Sequence, residues 1–326
     1  MSFSVTQESF DSLASCCDDP SHCLEWNTVF VRPDWLKIWW KEFKPCSELY
    51  LGAVRQDDGI IGIAPLLVGE GKASFIGNAD VCDYLDFIVS PGNETQFFTS
   101  LFDDLKQKGV NQLDLHALRP DSTAMTSLLD AAGERGYETD CQPEDISVEM
   151  DLPGTWEEYL EQLSSKQRHE VKRKLRRLTE AGKVEYRALE GKAAISELID
   201  TFLEMFTESR ADKADFLTGG MESFFRALAD DLAETGLLKL GLLTLDSKPA
   251  AMIMYFDYND TIYLYNSGYD REFESLSVGL LSKVLCIQES IRQGKKKFDF
   301  LKGNEVYKFR LGGKEVPINN CRITIK

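Results

Sequence analysis

Apolar and polar residues follow one another along the chain in short blocks that predict a mixture of strands and helices. The apolar runs Leu49–Val54 and Ile60–Val68 flank the turn-forming residues 56–59 and predict a β-hairpin. Apolar residues at helical spacing predict a helix over Thr95–Lys108. The first half is also predicted to contain the strands Lys72–Ile76, Tyr84–Val89, Gln112–His116 and Ile146–Leu152, and the helix Ser122–Arg135.

A helix-start signal follows Pro153 and Gly154 and divides the pattern into two halves. Thr155 is predicted to cap a helix with acids in its first turn, and Gly182 to end the next helix, Ser165–Ala181. The rest of the second half is predicted to contain the helices Ile195–Ser209, Gly220–Thr235 and Val278–Gln293, the strands Leu237–Leu245, Ala250–Tyr258 and Thr261–Ser267, a strand that begins at Phe298, and the strand Asn320–Ile325. At 326 residues the chain has room for two domains, predicted at 1–150 and 151–326.

The composition is that of a globular protein, with 43% hydrophobic and 28% charged residues. No apolar run approaches the roughly 20 residues of a membrane span. The first eight residues lack the basic start and apolar core of a signal peptide. A cytoplasmic location without a membrane span is therefore expected.

Charge is distributed unevenly along the chain. The net charge is −17, and acidic residues outnumber basic ones more than twofold in residues 1–150, whereas the two nearly balance in 151–326. An acidic first half repels phosphate backbones, which argues against general nucleic-acid binding. An anionic ligand is expected to meet the second half.

The eight cysteines form no Cys-x-x-Cys pair. Cys16, Cys17, His22 and Cys23 are residue types that bind zinc, but their spacing is not that of a zinc finger. Separate reduced thiols are predicted rather than a metal site. The remaining cysteines are scattered singly at Cys46, Cys82, Cys141, Cys286 and Cys321.

The segment 298–313 combines a short apolar run with charged residues and glycines. It reads Phe-Asp-Phe-Leu-Lys-Gly-Asn-Glu-Val-Tyr-Lys-Phe-Arg-Leu-Gly-Gly, which predicts a strand ending in a functional loop. The segment resembles the D-F-L-x-G-x-E-x-Y-K-x-x-x-G signature of the FemAB-like and cellulose-biosynthesis-type branch of the GNAT acyltransferases. Three other segments resemble the same branch: 78–86, 164–168 and 265–281.

The resemblance implies an α/β (α+β) fold of tandem GNAT-like domains. Each would be a mixed, mostly antiparallel sheet flanked by helices, with a degenerate copy at 1–150 and the acyltransferase domain at 151–326. The implied activity is N-acyl transfer from acetyl-CoA or another acyl-CoA, as cosubstrate and without a metal, to a small-molecule or sugar-linked amine. Two alternatives stay open: a Fem-like aminoacyl transferase acting on a cell-wall precursor, and a non-catalytic accessory protein of exopolysaccharide biosynthesis.

A predicted helix N-terminus is the candidate donor site. Ser277 is predicted to cap a helix whose first turn, Val278, Gly279 and Leu280, exposes backbone N–H groups suited to a pyrophosphate. By resemblance this is the acyl-CoA site, although the common (Gln/Arg)-x-x-Gly-x-(Gly/Ala) pattern is absent, which keeps an aminoacyl donor open. An ordinary capped helix without a ligand is the other interpretation.

The helix Ser165–Ala181 is strongly basic and is the second candidate anion site. Val171, Leu175 and Leu178 form its predicted buried face. Its basic residues either dock the acidic first half or hold a phosphorylated or acidic acceptor. The resemblance assigns Lys166 and Arg168 to the substrate.

The remaining site assignments follow from the same motifs. Direct transfer needs a base for the acceptor amine and a donor for the developing oxyanion. Glu305 is the candidate base or acceptor-positioning carboxylate, Lys308 is the candidate for stabilising charge, and Asp299 is a third catalytic candidate, with a structural role as the alternative. The residues assigned to substrate binding are Asp83, Tyr84, Asp86, Asn266 and Tyr307; for the first three, a turn whose acids cap backbone N–H groups is an equal alternative.

Overall fold

The computed structural model describes residues 3–19, 23–57, 59–209 and 211–326. The chain folds into two compact units. The first unit comprises Met1–Ile146 and Val316–Lys326, and the second comprises Ser147–Glu315. Each contains strands and helices in a mixed, mostly antiparallel arrangement, which confirms the predicted α/β fold class.

The chain as far as residue 151 contains strands with interspersed helices. In order these are β1 (Phe3–Gln7), α1 (Phe10–Asp18), α2 (Pro33–Phe43), β2 (Glu48–Gln56), β3 (Gly59–Gly69), β4 (Lys72–Phe75), β5 (Ile88–Val89), α3 (Glu94–Gln107), β6 (Gln112–Leu118), α4 (Leu129–Glu134) and β7 (Glu138–Asp151). A 3-10 turn at Val29–Val31 precedes α2, and a π-helical turn at Ala124–Leu128 precedes α4.

The rest of the chain begins with helices. In order its elements are α5 (Trp156–Gln162), α6 (Ser165–Ala181), β8 (Val184–Leu189), α7 (Lys192–Ser209), α8 (Ala211–Phe216), α9 (Gly219–Asp231), β9 (Leu238–Leu245), β10 (Lys248–Tyr258), β11 (Thr261–Tyr269), α10 (Val278–Arg292), β12 (Lys297–Lys302), α11 (Val306–Arg310) and β13 (Lys314–Thr324). A 3-10 turn, Arg271–Leu276, leads into α10.

In the first unit, β1, β2, β3 and β4 pair with their sequence neighbours in antiparallel fashion. Strand β4 pairs with β6 in parallel, β6 pairs with β13 in antiparallel fashion, and the short β5 pairs with β3. Aromatic side chains fill the core against α3, where the rings of Phe87, Phe97 and Phe98 meet edge to face.

In the second unit the strand order is β7, β12, β11, β10, β9 and β8. The β12–β11 pair is parallel, and the other neighbours are antiparallel. Apolar residues of α10, β10 and β12 form a continuous core with α5 and α6, including Ile253, Leu281 and Phe298.

Two irregularities shape the middle of the second unit. Met254 pairs with Asn266 but Tyr255 pairs with Leu264, so Tyr265 is an extra, bulged residue of β11. Pairing between β11 and β12 covers only Thr261–Tyr263 and Lys297–Asp299. From residue 264 to residue 269, β11 has no ladder partner on its β12 side among the residues that the structure describes. We call residues 264–269 the open end of β11.

Most predicted elements are confirmed, and the exceptions have local causes. The predicted strand Tyr84–Val89 is wrong over its first four residues, where the Asp86 carboxylate binds backbone N–H groups instead of facing a partner strand. The loop predicted after β12 contains the short helix α11, and β13 starts at Lys314 rather than at Asn320. The helices α1 and α8 and the strands β1 and β8 were not predicted.

The prediction of separate thiols is wrong for one pair, because Cys141 and Cys321 form a disulfide within the first unit. The thiols of Cys16, Cys17 and Cys23 are unbridged, and His22 lies outside the described residues. Within the described ranges, no group of three residues with metal-binding side chains was found. The described helices include none that is both long and apolar enough to cross a membrane.

Candidate active site

The N-terminus of α10 differs from the predicted capped helix. Ser277 has a left-handed backbone (φ 60°) and its side chain makes no capping hydrogen bond, so the predicted Ser277 cap is wrong. Its carbonyl oxygen accepts from the N–H groups of Leu280 and Leu281. The N–H groups of Val278 and Gly279 have no hydrogen-bond partner among the described residues. The first turn therefore contains two unpaired donors at the positive end of a helix dipole, one in the fully buried Val278 and one in the half-buried Gly279.

Gly279 is required by packing inside this turn. A Cβ at position 279 would lie 2.9 Å from Cδ1 of Tyr269, so the space that a side chain would take is filled by the Tyr269 ring. Close packing of Tyr269 therefore explains why residue 279 is a glycine, without the need for a ligand. The predicted contact between Gly279 and a donor stays a prediction.

The basic helix α6 packs against α10 and against the 3-10 turn that leads into it. Val171 and Leu178 are buried in the core, and Leu175 packs against it together with apolar residues of the 3-10 turn. The acids on α6 pair with Arg173, Lys174 and Arg176. The basic side chains of α6 that make no ion pair with a described carboxylate of the second unit are Lys166, Arg168, Lys172 and Arg177. Unneutralised positive charge therefore lies on a helix in contact with α10.

Lys308 holds the loop after β12 together. Its side chain is buried, and Nζ donates to the carbonyl oxygens of Leu301, Lys302 and Gly303. The same ammonium lies 2.9 Å from Oε2 of Glu305. Leu301 and Gly303 have positive φ values of 60° and 106°, which turn these carbonyls toward one point. Lys308 therefore positions the loop, and its ammonium is already surrounded by acceptors.

Asp299 and Glu305 flank this loop in different environments. Asp299 is buried, and its Oδ1 accepts from the N–H of Leu301 at 2.8 Å, which stabilises the turn at the end of β12. Glu305 occupies the position before α11 and its side chain is 46% exposed. A Cβ on Gly303 would lie 2.6 Å from Oε2 of Glu305, so the glycine makes room for this carboxylate.

Lys283 is a buried, chemically significant residue that was not predicted from the sequence. It lies on α10, and its Nζ donates to Oγ of Ser267 at 2.9 Å and to the carbonyl oxygen of Gly279 at 2.8 Å. Nζ also lies 5.3 Å from the centre of the Tyr307 ring. No described carboxylate lies within ion-pair distance of it. Burial lowers the pKa of this amine to about 7, because the charged form loses its hydration.

Other charged groups around Lys283 modify this pKa. The ammonium groups of Lys213 and Lys308 lower it further, whereas Glu305 and Cys286 raise it. Lys213 lies on α8 and donates to the carbonyl oxygen of Ser267, whose hydroxyl is bound to Lys283. Ser267 is thus contacted by two lysines at the open end of β11.

A sequence signal for Lys283 existed. It interrupts the apolar stretch 278–287 of a helix, and the positions three and four residues away on either side carry no acid. A lysine in the apolar face of a helix without a helical partner is a candidate for a buried amine. The other two predicted residues of this region, Asn266 on β11 and Tyr307 on α11, are half-buried in the same unit.

The predicted residues of the segment 83–86 belong to the first unit. Oδ1 of Asp86 accepts from the N–H groups of Phe87 and Ala124, and Oδ2 accepts from the N–H of Thr123. Burial raises the pKa of this carboxyl to about 7, although the three N–H groups act in the opposite direction. Tyr84 is buried with the Arg119 guanidinium 4.9 Å from its ring centre, and Asp83 is half-buried. Asp86 therefore has the capping role foreseen as the alternative.

One family model matches part of the second half of the chain. Residues 165–309 match the family model described as Acetyltransferase (GNAT) domain. The matched segment contains α6, the open end of β11, the N-terminus of α10, and the Glu305–Lys308 loop. A search of curated proteins found no match.

Solved structures share the fold at low sequence identity. One titled "Crystal structure of FemX" is 12% identical, covers 98% of this chain and 96% of its own, and has a TM-score of 0.66. A conserved protein of unknown function from Bacteroides thetaiotaomicron is 13% identical, covers 99% and 100%, and has a TM-score of 0.62. The C-terminal domain of a putative lysylphosphatidylglycerol synthetase from Agrobacterium fabrum is 10% identical, covers 85% and 83%, and has a TM-score of 0.56. Residues 165–309 therefore match a GNAT-type acetyltransferase domain, and the chain shares its fold with FemX, as the motifs predicted.

Proposed function

We propose that this protein is an N-acyltransferase that moves an acyl group, most simply acetyl, from acyl-CoA to an amine by direct transfer. The observation that carries the proposal is the unpaired N–H group of the half-buried Gly279, next to that of the buried Val278, at the start of a 15-residue helix inside the segment matched by the GNAT model. A phosphate gains hydrogen bonds and the favourable helix dipole at such a turn, whereas a cationic ligand is disfavoured by the same dipole.

In this proposal the donor extends from the α10 N-terminus along the open end of β11. The diphosphate of CoA accepts hydrogen bonds from the first turn of α10, and the basic face of α6 adds positive potential beside it. The pantetheine arm lies against the part of β11 that has no pairing with β12. The thioester then lies beside the bulge at Tyr265.

The acceptor amine approaches from the Glu305–Lys308 loop. Glu305 is exposed and positions a cationic or hydrogen-bonding acceptor, while Lys308 fixes the loop that holds it. Asn266 and Tyr307 are proposed contacts of the acceptor in the second unit, and Lys166 and Arg168 are proposed to bind an acidic or phosphorylated part of it. The first unit is proposed to be a degenerate GNAT-like copy, and Asp83 and Tyr84 are proposed as substrate-binding residues within it.

Thermal melting with CoA, acetyl-CoA and longer acyl-CoAs tests donor binding. A ligand at about 100 times its dissociation constant adds roughly 2.7 kcal/mol to the free energy of unfolding, which raises the melting temperature by a few degrees. The variant Gly279→Pro removes one open N–H, and Gly279→Ala is its matched control, because both add a Cβ against Tyr269 but only proline lacks the N–H. Loss of the shift in the proline variant alone would support the proposed site.

Turnover completes the test. Release of CoA thiol from acetyl-CoA is followed in the presence of lysine, putrescine or glucosamine as amine probes. Acyl transfer to any of them supports the proposal. Absence of both a melting shift and thiol release with every acyl-CoA would reject it in favour of an aminoacyl donor or a non-catalytic role.

A further inference from the structure

We propose that Lys283 is the base of the transfer step, the amine that takes the proton from the acceptor nitrogen as it attacks the thioester. This inference rests on the proposed acyltransferase function and assigns the proton-transfer role to a residue outside the motifs that suggested that function.

The position of the amine is the first argument. Ser267, which Lys283 contacts, lies two residues beyond the bulged Tyr265 on β11. Two residues of a strand span roughly 6–7 Å, so the amine and the bulge lie in the same part of β11. The ring centre of Tyr307, a proposed acceptor contact, lies 5.3 Å from Nζ.

The hydrogen bonds of Lys283 are the second argument. A neutral amine has two N–H donors and one lone pair. Two acceptors, the hydroxyl of Ser267 and the carbonyl of Gly279, are in place for the two donors. The lone pair then remains for a proton, which is the arrangement that a base requires before the reaction.

Burial is the main cause that lowers the pKa of the Lys283 amine to about 7, and the surrounding charges are smaller influences of both signs. Lys213 from α8 and Lys308 from α11 oppose a further positive charge, whereas Glu305 before α11 and Cys286 on α10 favour it; burial is the largest influence. An ordinary lysine would be protonated at pH 7, when it cannot accept a proton. At pH 7 both the neutral and the protonated form of Lys283 are populated, which is the condition for efficient general-base catalysis.

The other charged side chains of the loop are less suited to this role. Lys308 donates to three carbonyl oxygens and lies beside a carboxylate, so its ammonium is fully engaged in holding the loop. Glu305 is exposed and bound to that ammonium. Among these groups Lys283 combines a buried amine with hydrogen-bond acceptors that are all neutral.

The step balances without any further reactant. The acceptor nitrogen forms a bond to the thioester carbonyl carbon, and its proton passes to Nζ of Lys283, which becomes an ammonium. The tetrahedral intermediate then collapses, the C–S bond breaks, and the CoA sulfur leaves with the electron pair. Lys283 returns the proton to that sulfur, which yields an amide, CoA thiol and a neutral lysine.

Competitive labelling of the intact protein with trace acetic anhydride tests the state and place of the amine. The labelled fraction of each lysine is read by peptide mass spectrometry across pH, with and without acetyl-CoA at a concentration that raises the melting temperature. Lys283 is expected to reach full reactivity above pH about 7 and to be shielded by acetyl-CoA. The exposed Lys314 is the internal control, which keeps gaining reactivity at higher pH and is not shielded.

Two results of the labelling would overturn the inference while leaving the proposed function intact. One is a pH dependence of Lys283 like that of Lys314, and the other is an absence of shielding although acetyl-CoA stabilises the protein. Failure of the reagent to reach Lys283 at any pH would also overturn it, because an acceptor could not reach it either. Absence of acetyl-CoA binding would instead reject the proposed function, and the inference with it.

Kinetics of two variants separates a base from a positive charge. Lys283→Met removes both, whereas Lys283→Arg keeps the charge but cannot act as a base near neutral pH. Both variants are expected to lose about 10²- to 10⁴-fold in kcat with the amine probe, and the rise of the wild-type rate through pH about 7 is expected to vanish. An arginine variant with wild-type kcat and pH profile would refute the base role. Melting curves show whether each variant is folded, and Lys314→Met serves as the matched control.

Discussion

Nζ of Lys308 lies 2.9 Å from Oε2 of Glu305 and simultaneously binds the carbonyl oxygens of three consecutive residues, Leu301 to Gly303. One ammonium therefore joins the end of β12 to the start of α11. The four acceptors are unequal, because the carbonyls are held near a buried cation whereas Glu305 reaches solvent. Lys308 and Glu305 consequently have separable roles in stability and function.

The variant Lys308→Met is expected to lower the free energy of unfolding by about 2–4 kcal/mol. It leaves carbonyl groups without a donor, and each unsatisfied buried group costs about 1–3 kcal/mol. Glu305→Gln removes only a partly exposed ion pair, which is worth less than about 1 kcal/mol. Urea unfolding measures both variants. Equal losses would show that the ion pair, rather than the carbonyl bonds, holds the loop.

The contrast between these two residues shows what the sequence could and could not predict. The motif 298–313 indicated that Glu305 and Lys308 belong together, and the structure places them in contact. The motif could not indicate that Lys308 binds three carbonyl oxygens, because this arrangement depends on the left-handed backbone of Leu301. Leucine rarely adopts that conformation. Periodicity describes where a strand lies but not how its last residues turn.

Local signals with a direct physical cause were reliable. Thr155 and Glu158 form a reciprocal capping box, and α6 ends at Gly182 as predicted. The prediction of a strand before Ile88 was wrong. The apolar pattern there is that of a strand, but Asp86 binds N–H groups nearly forty residues away in sequence. Such a contact exists only after the chain has folded, so no local pattern could predict it.

Gly268 is expected to tolerate no side chain. A Cβ there would lie 2.4 Å from the backbone N of Phe206, so α7 packs directly against β11 at this glycine. Gly268→Ala would force α7 away from the sheet and lower the free energy of unfolding by about 1–3 kcal/mol. Gly220→Ala is the control, because its Cβ would meet no described atom within 4 Å and alanine favours the α9 helix by roughly 0.5–1 kcal/mol. Chemical denaturation of both variants measures whether Gly268→Ala lowers the free energy of unfolding while Gly220→Ala raises it.

Asp86 is expected to give the first unit a pH-dependent stability. Its pKa is about 7 in the folded protein against an ordinary value of 3.8, so the folded state binds more protons between these pH values. Stability therefore falls as pH rises from about 4 to 7. Asp86→Asn should abolish this slope and, at pH 4, cost about 1–3 kcal/mol, because the amide nitrogen cannot accept from the N–H of Thr123.

The measurement for Asp86 is urea unfolding at a series of pH values, with the exposed Asp130→Asn as the control variant. A slope that survives in Asp86→Asn would assign the pH dependence to other groups. A fully stable Asp86→Asn protein at pH 4 would show that the hydrogen bond from the N–H of Thr123 contributes little.

Lys283 is expected to produce the opposite pH dependence in the second unit. Its pKa is about 7 in the folded protein and 10.5 for an ordinary lysine, so between these values the unfolded chain binds the extra proton. The free energy of unfolding therefore rises with pH from about 7 to 10.5 and is lowest below pH 7, where the buried amine is charged. A methionine of similar length carries no charge to bury.

The variant Lys283→Met should thus be more stable than the wild type at pH 7, by about 1–3 kcal/mol, while losing the transfer activity proposed for it. The difference between the two proteins should shrink as pH approaches 10.5, since the wild-type amine is then neutral in both states. Unfolding by urea at several pH values measures this difference, with Lys314→Met as the exposed control. If Lys283 has a catalytic role, the methionine variant is expected to be more stable but inactive. If the lysine served only for packing, methionine would replace it without loss of activity. A destabilised variant at pH 7 would instead show that the hydrogen bonds to Ser267 and Gly279 outweigh the burial of the amine.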